Sequence, residues 1–126
     1  MIVAGFGFRS AVTLYALQDA LTRAQDSAGI NAPPLMLALP QDKALHPDFR
    51  AFAAELNIKV VPVTTKQLQS IDTPTQAPRV LEKRGTGSVA EACALAVAGP
   101  QAKLITTRHI STDRMASCAL AKGETS

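Results

Sequence analysis

The stretch GTGSVAEACALA, residues 85–96, sets two glycines and two hydroxyl side chains directly ahead of an alanine-rich run. A glycine-rich turn that opens a helix presents backbone N–H groups to an anion, and the aligned peptide dipoles favour negative charge there. Gly85, Thr86, Gly87 and Ser88 are therefore candidate ligands for a phosphate or carboxylate. No lysine follows the glycines, so this is not a nucleoside triphosphate loop in its usual form. The Ser-x-x-Glu spacing predicts a capping box, in which Ser88 accepts from the N–H of Glu91 and the Glu91 carboxylate returns to the N–H of Ser88. The same residues are the candidate catalytic pair, with Glu91 as general base and Ser88 or Thr86 positioning water. A nucleophilic Ser88 would need a histidine base, and nothing in the spacing brings His46 or His109 to it.

GFGFRS, residues 5–10, offers a second glycine turn between a strand and a helix. It departs from the dinucleotide fingerprint. Ser10 stands where a third glycine would allow close helix packing, and Asp42 lies beyond Pro40, too far along to hold a ribose. What it leaves is a tight turn in which Gly7, Arg9, Ser10 and helix-start N–H groups grip a carboxylate or phosphate, with Ser10 expected as the cap. Lys43, in the loop after the second strand, leaves the sheet at the same end as both glycine turns, and Arg108 lies near the closing hairpin. Arg9, Lys43 and Arg108 are expected to converge on one cleft. His46 reads as an exposed cap before Pro47, and His109 as a surface residue.

The elements that must position these residues follow from periodicity. MIVAGF reads as a buried strand; Leu14, Leu17, Leu21, Ala24 and Ala28 mark one face of a helix that Gly29 stops. LMLAL is a continuous apolar strand closed by Pro40, and HPDFRAFAAELN a helix with Phe49, Phe52, Ala53 and Leu56 on one face. In the third strand, IKVVPV, Pro62 confines the segment to an edge, an end or a bulge, and TTKQLQSI carries Thr64 and Gln67 at capping-box spacing. SIDTPTQAPR is expected as an exposed loop, and VLEKR fits a short strand or the loop's tail equally. AKLITTRHI and RMASCALA face each other across a short STD turn as a closing antiparallel pair. Strands alternating with helices predict a single α/β domain: a three-layer α/β/α sandwich around a mixed, mostly parallel sheet with a C-terminal hairpin. Ligands in such sheets bind where strand carboxyl ends meet helix starts.

Composition narrows the function classes. With 126 residues, no Trp, one Tyr and four Phe, the core must be aliphatic, and an aromatic nucleic-acid platform is not expected. Lys and Arg balance Asp and Glu, six against six, as far as Pro78; the whole net charge of +3 comes from Arg79 onward, seven against four. That suits an anionic small molecule better than a duplex, which calls for a longer basic stripe. Cys93 and Cys118 form no C-x-x-C pair, so no metal, cofactor or disulfide framework is indicated and both read as small buried hydrophobes. No signal peptide or membrane-length apolar run is seen, and a cytoplasmic protein is expected.

The motif order, from GFGFRS through DKALHP and GTGSVAEACALA to the closing SCALA, resembles the CobE proteins of cobalamin biosynthesis. These are similar to the C-terminal domain of CbiG, the cobalt-precorrin-5A hydrolase. The resemblance implies a role in building the corrin ring, with a precorrin or corrinoid intermediate as ligand and other enzymes of the pathway as possible partners. Such a macrocycle is a flat apolar disc rimmed by acetates and propionates, which calls for an apolar cleft edged by cations and N–H donors. In the longer CbiG-like proteins a separate N-terminal domain precedes this one, and the two together look like a hydrolase that opens a ring-A lactone and releases a two-carbon fragment. Carrying the intermediate between enzymes is the leading expectation for this domain; hydrolysis is the alternative.

Overall fold

The computed structural model describes residues 1–123. Five strands form one sheet in the order β3-β2-β1-β5-β4. β1 (Ile2–Phe8), β2 (Met36–Pro40) and β3 (Lys59–Val63) are parallel, while β5 (Ala116–Lys122) runs antiparallel between β1 and β4 (Lys103–Ile110). β4 therefore points the same way as β1, and the carboxyl ends of four strands share one edge. α1 (Leu14–Ala28) and α2 (Pro47–Leu56) cover one face; α3 (Thr65–Gln69) and α5 (Val89–Ala98) cover the other. This is the expected α/β/α sandwich with its closing hairpin. No helix among the described residues is long and apolar enough to cross a membrane.

Local chemistry explains most boundaries. Thr13 caps α1 by accepting from the Ala16 N–H, and Gly29 ends it in the left-handed conformation at φ 69°. His46 caps α2 through Nδ1, which accepts from the Asp48 N–H at 3.2 Å, and Thr64 and Gln67 form the expected capping box on α3. Pro62 sits on edge strand β3, where its missing N–H costs no ladder bond on the open side. All four phenylalanines gather in one cluster: Phe6, Phe49 and Phe52 meet edge to face, and Phe8 stacks on Phe49 at 5.5 Å.

Two expectations are corrected. β1 continues through Gly7 to Phe8, and the helix starts at Leu14 with Thr13, not Ser10, as its cap. The glycines of β1 serve close approach rather than a turn: a Cβ on Gly5 would lie 2.1 Å from the Ala90 carbonyl oxygen and 2.5 Å from the Ala94 nitrogen. The segment that fitted strand or loop, VLEKR, is helical, within α4 (Pro78–Arg84); Pro78 opens it and Gly85, at φ 72°, closes it.

Candidate functional site

The carboxyl edge of the sheet gathers the connection after β1, the turn η1 (Gln41–Lys43) after β2, and the loop from α4 into α5. α5 runs back along β1, which brings its amino end, Ser88, to this edge; Val89 packs against Gly7. The alanines of α5 let it lie close on the sheet, and Ala90, Ala92, Cys93 and Ala94 are fully buried there. Burial pushes the Cys93 and Cys118 thiols well above their usual range, so both stay protonated and inert.

Half of the predicted capping box forms. Ser88 Oγ accepts from the Glu91 N–H at 3.3 Å, and the Ser88 carbonyl accepts from Ala92 at 3.0 Å, leaving the N–H groups of Val89 and Ala90 as the open donors of this helix end. The Glu91 carboxylate does not return to Ser88. It is fully buried and accepts from the Thr75 N–H at 2.9 Å, the Thr75 hydroxyl at 2.6 Å and the Arg108 N–H at 2.9 Å. Three donors from outside the helix outcompete one local bond, because a buried carboxylate must have its lone pairs satisfied. Glu91 thus ties α5 to the 73–77 segment and to β4. That segment lies directly on the glycine loop: Ala77 donates to the Gly87 carbonyl at 2.9 Å, and a Cβ on Gly87 would lie 2.2 Å from the Thr75 oxygen. Thr86 is buried, and its Oγ1 has no hydrogen-bond partner among the described residues.

The three cations come from different elements. Lys43 Nζ donates to Ser10 Oγ at 3.3 Å and sits 5.7 Å from the centre of the Phe8 ring, which brings Lys43 to the connection that carries Arg9 and Ser10. His46 holds the same connection, its Nε2 lying 2.7 Å from the Ser10 carbonyl; with Nδ1 accepting from Asp48, Nε2–H is the donor. Arg9 is exposed and Gly7 is buried within β1. Arg108 lies on edge strand β4, where its backbone N–H donates to Glu91. Two shallow hollows, of about 200 and 240 Å³, lie at Gln101, Lys103, Lys122 and Gly123 and along Tyr15, Gln18, Asp19 and Thr22; neither includes the three cations.

Spacing did not reveal two further partners. Thr75 comes from a loop without periodicity. Arg84 grips Asp42 through two bonds, of 2.7 and 3.0 Å, and holds the Asp42 carboxyl below its usual range. Apolar surface accompanies the charges: Tyr15, Leu45 and Leu81 are 78%, 80% and 48% exposed, on the first turn of α1, the connection after η1, and α4. Among the described residues no group of three or more His, Cys, Asp or Glu could hold a metal ion.

Comparison with known proteins places this geometry. The family described as cobalamin synthesis G C-terminus matches residues 2–121. The crystal structure of CobE, a protein of the cobalamin pathway, is similar over 100% of this chain and 92% of its own, with a TM-score of 0.89 and 28% identity. The cobalamin biosynthesis protein chiG from Agrobacterium tumefaciens is 27% identical over 99% of this chain and 100% of its own, with a TM-score of 0.76. A cobalamin biosynthesis protein G homologue from Sulfolobus solfataricus shares the fold, with a TM-score of 0.72 and 21% identity, over 98% of this chain but 37% of its own. No curated protein matches the sequence. The family match and the two more similar structures agree from end to end of the domain: the chain belongs to the cobalamin synthesis G C-terminal family and is a protein of cobalamin biosynthesis.

Proposed function

We propose that the domain binds a polycarboxylated corrin-ring intermediate at the carboxyl edge of its sheet and carries it between enzymes of the pathway. One observation carries this reading: three of the four large apolar side chains exposed among the described residues, Tyr15, Leu45 and Leu81, lie on elements that meet the carboxyl edge, where Arg9 and Lys43 also stand; the fourth, Leu35, lies at the opposite edge. Tyr15, on the first turn of α1, and Leu45, after η1, offer apolar surface next to the connections that carry Arg9 and Lys43; Leu81 adds to it from α4, and Arg108 stands on edge strand β4. Ser10 and Gly85, both exposed, supply neutral donors; Thr86, Gly87 and Ser88 lie buried beneath the 73–77 segment, so they would join the site only if that segment moved. Charge-assisted contacts at a largely solvated surface give an affinity that falls as salt rises.

Titration with hydrogenobyrinic acid, followed in the visible spectrum, tests this reading. Saturable binding at low salt is expected, weakened about tenfold when Arg9 and Lys43 are both replaced by alanine. No saturable change at low salt refutes it.

A hydrolytic reading has one observation in its favour, the buried hydroxyl of Thr86 beside the α5 cap, which has no hydrogen-bond partner among the described residues. There Glu91 would take a proton from water, the hydroxide would add to the lactone carbonyl, and the ring oxygen would leave as an alcohol after regaining the proton. Glu91 holds three donors in this structure, so that role requires the 73–77 segment to release it first. Turnover lost in Glu91→Gln with ligand affinity intact supports hydrolysis; no turnover by the wild-type chain removes it.

A further inference from the structure

The Asp42–Arg84 pair joins the turn after β2 to the last residue of α4, at the edge where the ligand is placed above. We propose that Arg84 is a carboxylate-binding residue of that site and that Asp42 fills it while no ligand is bound. The proposal rests on the reading that the ligand carries carboxylates.

Three observations support it. The contact is the two-pronged fork that a guanidinium makes with any carboxylate, with bonds of 2.7 and 3.0 Å to the two Asp42 oxygens. The partners are unequal: the Arg84 side chain is 23% exposed and the Asp42 side chain 60%. Solvent and solutes therefore reach the acid more readily than the base, so the acid is the partner that a competing carboxylate can replace. Position is the third. Asp42 is followed by Lys43, which holds Ser10 beside Arg9, and Arg84 is followed by Gly85 of the glycine loop. Removing Asp42 thus uncovers a cation between the two segments already assigned to the ligand.

The energetic demand is small. A half-exposed ion pair is worth little in water, so a ligand carboxylate arriving with other contacts already made can displace Asp42. The exchange also links occupancy to α4, because the residue that changes partner ends that helix.

A double-mutant cycle tests the proposal, with hydrogenobyrinic acid titrated into the intact chain and its Asp42→Asn, Arg84→Gln and doubly substituted forms. Asp42→Asn should tighten binding about fivefold by removing the internal competitor. Arg84→Gln should weaken it about tenfold, and in that background Asp42→Asn should change nothing further. A gain from Asp42→Asn that survives unchanged in the Arg84→Gln form would show a general field effect and overturn the proposal. Equal weakening by both single substitutions would also overturn it, since the pair would then only hold α4 in place. Either result leaves the ligand reading standing. No binding by the wild-type chain or by Asp42→Asn overturns both.

Discussion

Replacing Glu91 by glutamine should loosen the fold at two named backbone positions. The carboxylate accepts from Thr75 N through one oxygen, and from the Thr75 hydroxyl and Arg108 N through the other. Glutamine brings one acceptor and one NH₂ group. With its oxygen toward Arg108, the NH₂ faces the Thr75 N–H; with its oxygen toward Thr75 N, the NH₂ faces the Arg108 N–H. Either orientation orphans one buried backbone donor, at a cost of about 1–3 kcal/mol. Alanine removes both acceptors and leaves a void beneath the 73–77 segment, so the loss should reach about 4 kcal/mol or more. Urea unfolding gives the totals. Amide hydrogen exchange gives the location, with faster exchange at Thr75 or Arg108 in the glutamine variant and at both in the alanine variant. Unfolding free energies within about 0.5 kcal/mol of wild type for both variants would refute the claim that the carboxylate binds these elements together.

Gly5→Ala should prevent stable folding, because its Cβ would meet α5 backbone atoms at 2.1 and 2.5 Å; Gly7→Ala meets Ser117 Oγ and Val89 Cβ at 3.2 Å and should still fold, with a modestly lower thermal midpoint. His46→Ala should cost about 1 kcal/mol through loss of the α2 cap, and it should also weaken hydrogenobyrinic acid binding, because the Ser10 connection loses its Nε2 donor. Asp19 and Asp42 are both held below their ordinary carboxyl value of 3.8, the first chiefly by the Thr112 N–H and the second chiefly by Arg84. Each therefore adds stability that is present above that value and lost as pH falls through the lower folded value. Acid titration of Asp19→Asn and Asp42→Asn should give stability curves flatter below about pH 4 than wild type, and unchanged curves would show that these contacts do not persist in solution.

Sequence periodicity was sufficient for the elements that bury a regular face. Leu17, Leu21 and Ala24 recur at helical spacing and are buried, and the proline inside IKVVPV limited that strand to an edge, an end or a bulge, of which β3 takes the edge. It misled where one residue type serves two ends. Gly5 and Gly7 looked like a turn, yet they make room for a helix more than eighty residues later, and no local pattern separates the two uses. α4 spans seven residues, too short for a periodic face, though Pro78 and Gly85 bracket it as helix signals do. At the site, Ser88 and Glu91 were legible as a cap because their spacing is local. The donors that claim the Glu91 carboxylate lie 16 and 17 residues away, in segments with no motif of their own. That Arg9 and Lys43 lie at the carboxyl edge was legible because both follow strands; the Arg84–Asp42 pair was not, because its partners are 42 positions apart.

The alanine face of α5 also limits how the domain can be re-engineered. Ala90, Ala92 and Ala94 have no side-chain rotamers to rearrange, and Gly5 leaves the strand beneath no slack. A library that enlarges side chains on this wall would yield mostly unfolded members, whatever selection were applied to binding. The opposite approach is open: residues 9–11 and 41–45 on the connections, and 79–82 on α4, reach solvent, while His46, which caps α2 and holds Ser10, stays fixed. Changes of ligand preference should therefore accumulate on those connections, one residue at a time, while the helix and strand behind them can change only in concert.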